Sequence, residues 1–195
     1  PFSYRHLAPY YQQAETLYRV RGASGQDSCD PPGERGYIAD PVPDEASIKG
    51  LRARLSTIGA NPFSLPLALD IDRWMARAKT PWDAFPDTGY GKMDAENAAL
   101  KPVADHPNIT LMTDARVRRL HTGSDGKTIQ SVELVQGRQV QRISAGLFVL
   151  SAGAVNSAAI LLRSANDLNS RGLANSSDQV GRNFMNHNCS ALLAV

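Results

Sequence analysis

The stretch Leu147-Phe148-Val149-Leu150-Ser151-Ala152-Gly153-Ala154-Val155-Asn156-Ser157 decides how this chain is read. Its first four residues are apolar without alternation, as a strand buried on both faces of a parallel sheet requires. Three small residues, Ser151, Ala152 and Gly153, then turn the chain into a helix expected from Asn156 to Arg163, with Ala158, Ile160, Leu161 and Leu162 as its apolar residues. Open α/β sheets bind ligands at the carboxyl ends of their strands, and a glycine there lets the backbone come close to one. The same glycine also serves simply to turn a strand into a packed helix, and the local pattern leaves both readings open.

Upstream of this unit the hydrophobic period is two. Ile109 to Thr113 reads as a short strand, and Ala115 to His121 alternates through Val117 and Arg119. Ser124-Asp125-Gly126-Lys127 carries an Asp-Gly hairpin signal, and a second strand follows through Ile129, Val132, Leu134 and Val135. After a turn at Gly137-Arg138, a third strand runs from Gln139 to Ile143. The expectation is a three-stranded β-meander with one face partly exposed.

Further upstream the pattern is helical or irregular. Leu7, Tyr10, Tyr11, Ala14, Leu17 and Tyr18 recur on one face of an expected helix with Pro9 in its first turn. Residues 21–43, with four Gly and four Pro, read as a long irregular stretch of the kind that forms lids or domain crossings. A second helix is expected from Asp44 to Ile58, with Ile48, Leu51, Leu55 and Ile58 toward the core and Gly59 ending it. Residues 61–92 read as extended and irregular. Asp94 opens a third helix, carrying Ala95, Ala98, Ala99 and Val103, which Pro102 should kink or stop. Downstream, residues 172–187 read as loop and turn, and Ala191 to Val195 as a further strand.

Composition narrows the function classes. The chain has 195 residues, and its 42% hydrophobic content suffices for a core. A formal charge of +2, from 21 Lys and Arg against 19 Asp and Glu, supplies no field for collecting nucleic acid. No apolar run approaches a membrane span. Cys29 and Cys189 form no Cys-x-x-Cys pair, and His6, His106, His121 and His187 lack metal-ligand spacing, so no metal site is expected. No Gly-x-Ser-x-Gly elbow is present, which argues against a serine hydrolase. Asn-x-Ser/Thr sequons at Asn108, Asn175 and Asn188 are short enough to arise by chance.

Three segments, in order, carry a family resemblance. Ser151 to Ser157 resembles the signature after the last FAD-domain strand of the glucose-methanol-choline (GMC) oxidoreductases. Pro1 to Glu15, with Tyr10-Tyr11 and Ala14-Glu15, is similar to the family's Pro- and Tyr-rich helix. Gly172-Leu173-Ala174-Asn175 through Gly181-Arg182-Asn183-Phe184-Met185-Asn186-His187 resembles its crossing from flavin domain to substrate domain. Within the family the chain is most similar to bacterial sugar and alcohol dehydrogenases related to gluconate dehydrogenase flavoprotein subunits.

The resemblance implies an α/β fold (α+β within these residues), part of a Rossmann-like FAD domain with a β-meander and the start of a substrate domain. It divides the chain into residues 1–106 of the substrate or cap region, 107–175 of the FAD domain, and a crossover at 176–195. It implies FAD-linked oxidation of an alcohol or sugar by hydride transfer to the flavin, with a base taking the hydroxyl proton. Carried over by position, Val117 matches the residue whose backbone meets the adenine, while its side chain remains free to pack in the meander. Ala152 and Gly153 match the turn beside the adenosine part of FAD. Arg116, Arg118 and Arg119 are read as solvated charges rather than phosphate ligands. His187 matches a linker histidine and is given a structural role, and Asn183 and Asn186 cap or turn the chain. Trp82, Phe85 and Tyr90 lie where the family folds a segment near flavin and substrate. Relatives often carry cysteines there, whereas this chain has Thr80-Pro81-Trp82-Asp83-Ala84-Phe85-Pro86, which argues against cysteine-based flavin linkage.

Dinucleotide-binding proteins of this kind open with a strand and a Gly-x-Gly-x-x-Gly turn. These residues contain none, and no catalytic base is assigned among them. The chain is therefore expected to be an internal part of a longer enzyme, to bind FAD weakly by itself and to oxidise nothing alone. It would need the remaining N- and C-terminal segments of the enzyme as partners. A strand at Leu147 to Leu150 would then lack part of its burial. The alternative is a non-catalytic binding module that uses the meander and long loops to hold a partner.

Overall fold

The computed structural model describes residues 2–31, 36–76 and 91–186, and its contacts divide the chain into two compact units, Pro1–Leu111 and Met112–Val195. Trp82, Phe85, Tyr90, His187 and the strand expected at Ala191 to Val195 lie outside the described residues. The described elements mix helix and sheet.

In the first unit, helix α1 spans Tyr4–Leu17. Its first turn is closed by Ser3 and His6: the Ser3 N–H donates to His6 Nδ1 at 2.9 Å, and the His6 N–H donates back to the Ser3 carbonyl at 3.0 Å. The helix starts earlier than expected, so Pro9 stands inside it rather than in the first turn. The proline has no N–H to offer the Arg5 carbonyl one turn back. The expected apolar face is also not the buried one. Tyr10, Tyr11 and Leu17 are exposed, and the buried residue is Glu15, whose carboxylate accepts the Gly36 N–H at 3.1 Å. The Tyr4 and Tyr11 rings stack on each other at 5.8 Å.

The irregular stretch that follows is tied back by short pairings. Strand β1 (Val20–Arg21) pairs antiparallel with β2 (Leu67–Ala68), and Arg21 bridges Ala39. A Cβ at Gly22 would lie 2.9 Å from the Tyr37 ring, so a larger residue there would have to displace that ring. Helix α2 (Ala46–Thr57) buries none of its residues: Ile48, Leu51 and Ile58 are exposed. Among the described residues its amphipathic pattern meets no partner surface, so the expectation of a core-facing stripe fails. What anchors α2 is Arg52, which forks onto both Asp44 carboxylate oxygens at 2.6 and 2.9 Å and reaches the Pro62 carbonyl at 2.9 Å. That hydrogen bond holds the Asp44 carboxyl below its ordinary range.

Of the residues from 61 to 92, the described ones at 61–76 are less irregular than their composition suggests. They contain β2 and a short helix, α3 (Ile71–Ala76), which opens on Asp70; its carboxylate accepts the Arg73 N–H at 3.3 Å and pairs with Arg19 at 3.4 Å. The helix expected after Asp94 forms as a π turn at Glu96–Leu100 that tightens to a 3-10 turn at Lys101–Val103. Pro102 accounts for the change, since its ring and missing N–H disallow a regular α-helical turn.

The second unit is built on the meander. Strands β3 (Ala115–Thr122), β4 (Ile129–Gln136) and β5 (Gln139–Ser144) pair antiparallel in that order. Gly137, at φ +60°, begins the two-residue β4–β5 turn, where glycine in first position suits the twist of the strands. The β3–β4 connection is longer than a two-residue Asp-Gly turn. Asp125 organises it by accepting the Lys127 and Thr128 N–H groups at 2.9 and 3.0 Å and the Thr128 hydroxyl at 2.6 Å. These bonds hold its carboxyl at a pKa of about 2. Residues 109–113 join no strand; the chain turns at Asp114, where φ is +53°.

Helix α4 (Gly153–Arg163) packs on β3. Leu120, Ile160 and Leu173 form the buried centre, with Val117, Ile129, Val132, Leu150 and Leu161 against them. The chain after α4 folds back over the helix: the Leu173 N–H donates to the Leu161 carbonyl at 3.0 Å. Gly172, at φ +100°, passes so close that a Cβ would lie 2.8 Å from the Leu162 Cα. Asn175 is buried and bonded at both ends of its amide, to the Arg171 carbonyl and the Val180 N–H.

The four residues read as a strand buried on both faces behave otherwise. Leu147 to Leu150 joins no ladder, and its exposure alternates: Leu147 is 81% and Val149 79% exposed, while Phe148 and Leu150 are half-buried. Phe148 and Leu150, with the edge of Val149, face a cavity of about 650 Å³ lined also by Leu120, Val132, Leu161 and Leu173. One face has a core to pack on, and none of the described residues covers the other.

Candidate functional site

The candidate site is a cleft of about 680 Å³ between the start of β3 and helix α4, lined by Ala115, Arg116, Val117, Arg118, Ala152, Asn156, Ile160 and Arg163. Two features of the local sequence set its walls. On the β3 side the ladder pairs Val117 with Leu134 and Arg119 with Glu133, so Arg118 is an extra, bulged residue. A bulge bends the strand and re-aims its side chains. On the α4 side, Ala152 precedes the helix and its N–H donates to Ser157 Oγ at 3.1 Å. Gly153 then enters the helix at φ +78°, with no atom within 4 Å of the place a Cβ would take. The backbone there is uncovered, as close approach of a ligand would require.

The two walls are clamped at the far end. Arg119 Nε donates to the Arg163 carbonyl at 2.8 Å, and the Leu120 N–H donates to Ser164 Oγ at 2.9 Å. Eleven residues of α4 span about 16 Å, close to the length of β3 from Ala115 to Leu120, so the two elements run side by side.

Of the residues singled out from sequence, Val117 and Ala152 line this one cleft, and Gly153 adjoins Ala152 at its edge. Val117 also packs against the buried centre, so its side chain and its backbone serve different surroundings. Arg116, Arg118 and Arg119 are exposed, as expected, but not equivalent. Arg119 is spent on the Arg163 carbonyl, while Arg116 and Arg118 line the cleft with Arg163. Sequence reading passed over Asn156 and Arg163 as cleft residues. Only the helical repeat from Ala152 through Asn156 and Ile160 to Arg163 could have indicated them.

No carboxylate among the described residues lines the cleft. His121 lies on the meander and pairs with Glu133 at 3.3 Å, where Arg142 joins at 3.8 Å; it does not line the cleft. Among the described residues no cluster of His, Cys, Asp and Glu could hold a metal ion, and no helix is long and apolar enough to cross a membrane.

Comparison with known proteins assigns these walls to a family. Residues 86–189, more than half the chain and including both sides of the cleft, match the profile of the GMC oxidoreductases. The chain belongs to the GMC oxidoreductase family.

Several curated GMC-type relatives align along nearly all of it. It is 34% identical to 6'''-hydroxyparomomycin C oxidase of Streptomyces lividus, covering 93% of this chain and 34% of that protein. It is 33% identical to paromamine 6'-oxidase of Streptomyces fradiae, covering 93% and 33%. It is 27% identical to the fructose dehydrogenase large subunit of Gluconobacter japonicus, covering 95% and 34%. The chain thus spans about a third of the length of these relatives.

Proposed function

We propose that this chain supplies the adenosine-side wall of the FAD site in an oxidoreductase that oxidises a hydroxyl of an alcohol or sugar. The observation that carries the reading is the cleft itself, where Val117 of β3 and Ala152 before α4 line one space beside the open backbone of Gly153. Its volume falls in the range of ordinary ligand pockets, and its walls combine backbone, small side chains and a few polar groups. The residues therefore fit the group that the family implies. The relatives named for 6'''-hydroxyparomomycin C and for fructose support the substrate class.

Val117 would present its backbone to the adenine while its side chain stays in the core. Gly153 would keep the approach clear, and Ser157 would hold the turn by accepting the Ala152 N–H. When bound, FAD would supply the hydride acceptor for oxidation of the carbinol carbon, and a base would be needed for the hydroxyl proton. No described residue of this chain has that role, so the base and the Gly-x-Gly-x-x-Gly turn would come from other segments of the enzyme. On this reading the chain alone binds FAD weakly and is inactive. Leu147 to Leu150 would then be a central strand of a Rossmann-like sheet completed by those segments, which agrees with its uncovered face.

The test is flavin occupancy in the longer protein that carries this chain. Gly153→Val should place a branched side chain in the open space and lower the bound FAD per protein well below that of the unsubstituted protein. Unchanged occupancy with intact folding would overturn the assignment of this turn.

A further inference from the structure

Asp125 and Gly126 lie in the β3–β4 connection, and turn formation accounts for both residue types. The same pair is chemically labile. In an Asp-Gly sequence the glycine amide nitrogen can attack the aspartate Cγ, because the glycine has no side chain to hinder the approach. The new N–Cγ bond closes a five-membered succinimide, while the carboxyl gives up its OH and the amide its hydrogen, together as water. Water then reopens the ring at either carbonyl. Opening at the α-carbonyl leaves isoaspartate, with the main chain routed through Cγ and the α-carboxylate free. No oxidant or cofactor is needed, so local conformation governs the rate.

Asp125 is exposed, yet both reacting groups are held. On the carboxyl side, Oδ1 accepts the Lys127 and Thr128 N–H groups at 2.9 and 3.0 Å, and Oδ2 accepts the Thr128 hydroxyl at 2.6 Å. These bonds keep the carboxyl ionised at neutral pH, and a carboxylate is a weaker electrophile than the acid. On the glycine side, the Gly126 N–H donates to the Gly123 carbonyl at 3.0 Å, and Asn169 Nδ2 donates to the Gly126 carbonyl at 2.9 Å. A Cβ on Gly126 would lie 3.0 Å from the Leu168 Cβ, so the glycine also has a packed neighbour. Asn169 is fixed in turn by Asn166, whose Oδ1 accepts the Asn169 N–H at 2.8 Å and whose Nδ2 donates to Thr122 Oγ1 at 3.1 Å. A hairpin turn forms from local bonds alone. The clamp on Gly126 comes from 43 residues further along the chain and is an addition to the turn.

We propose that Asp125-Gly126 is a latent isomerisation site that the fold keeps closed, with Thr128 holding the carboxyl and Asn169 holding the glycine. Attack on Cγ requires the carboxyl to leave the Lys127 and Thr128 donors and the Gly126 amide to leave the Gly123 carbonyl. Isomerisation then awaits local opening of the turn, and its rate follows the population of the opened form. Isoaspartate adds a methylene to the main chain and removes the carboxylate from its donors, so a converted chain cannot remake the turn.

The 195-residue chain and a synthetic peptide of residues 121–131 can be incubated side by side at neutral pH. Isoaspartate at position 125 is then measured by mass spectrometry with electron-transfer fragmentation, which distinguishes the two linkages. The folded chain should convert at least about 10-fold more slowly than the peptide, because conversion needs prior opening. T128V and N169A should each raise the rate toward that of the peptide, whereas T128S, which keeps the hydroxyl, should not. Equal rates in the folded chain and the peptide would overturn the proposal. So would T128V and N169A variants that convert no faster than the unsubstituted chain. Hydrogen exchange supplies the remaining check, since a faster conversion should come with faster exchange at residues 123–128 only. An equal rise throughout β3 and β4 would mean global unfolding and would also overturn the assignment of Thr128 and Asn169.

Discussion

Ser164 joins the two walls of the cleft through Leu120: its hydroxyl oxygen accepts the Leu120 N–H at 2.9 Å and donates to the Ile160 carbonyl at 2.6 Å. Ser164 is 1% exposed, so neither bond can be replaced by solvent without opening the unit. A buried hydroxyl that satisfies both an edge strand and the last turn of a helix fixes their separation, and with it the width of the cleft. Ser164→Ala leaves the Leu120 N–H buried without a partner and should cost about 1–3 kcal/mol in urea denaturation. A loss much below that range would show that β3 and α4 are held chiefly by Leu120, Ile160 and Leu173.

The glycines give a graded prediction. At Gly153 and Gly172 the backbone has positive φ, but only Gly172 is also crowded. Gly153→Ala should cost about 1 kcal/mol, from backbone conformation alone. Gly172→Ala should cost clearly more, because its Cβ would meet the Leu162 Cα at 2.8 Å. Gly146 has neither constraint, so Gly146→Ala should be close to neutral. Thermal denaturation of the three variants checks the order, and equal losses at Gly153 and Gly172 would contradict it.

Asp125 makes the stability of the β3–β4 turn depend on pH. Its carboxyl is held at about 2, first by the Thr128 hydroxyl and then by the Lys127 and Thr128 N–H groups. A folded-state value below the unfolded one means that the contribution is complete above the ordinary carboxylate pKa of about 4 and is lost as pH falls through about 2. Asp44, lowered by Arg52, acts in the same direction. Asp125→Asn should therefore be less stable at neutral pH and should show a shallower loss on acidification. Parallel acid titrations of the two proteins would count against this assignment.

The uncovered face of Leu147 to Leu150 separates the chain from the assembled enzyme. In the 195-residue chain, L147K/V149K should change stability by no more than about 0.5 kcal/mol and reduce light scattering from aggregates. In the longer flavoprotein the same pair should prevent stable folding, because two lysines would enter the centre of a sheet. Tolerance in both contexts would contradict the central-strand proposal.

The meander and α4 were legible in the sequence because their signals are local. Period-two alternation through Val117 and Val132, the turns at Asp125-Gly126 and Gly137, and the small residues before α4 each act within a few positions. Burial was not legible, because it depends on what lies opposite. Tyr10, Tyr11, Ile48 and Leu51 have helical spacing yet remain exposed, whereas Glu15 is buried because the Gly36 N–H comes to it. The apolar run at Leu147 found no strand to pair with among the described residues. Ile109 to Thr113 failed as a strand for a related reason, since an alternating run forms a ladder only where a partner edge is offered. Of the residues lining the cleft, Val117 and Ala152 were singled out from sequence, with Gly153 beside them. Arg163 and the bulged Arg118 could not be placed there, because they come to line one cleft only when α4 is laid along β3.

The most direct test of the central claim is to photolabel the longer flavoprotein with FAD carrying an azide on the adenine, and to map the attachment by mass spectrometry. Attachment within Ala115 to Arg118 or Ser151 to Asn156, suppressed by unlabelled FAD, is the predicted result. Attachment confined to residues outside these two segments would contradict the assignment of this cleft to the adenosine half of the cofactor.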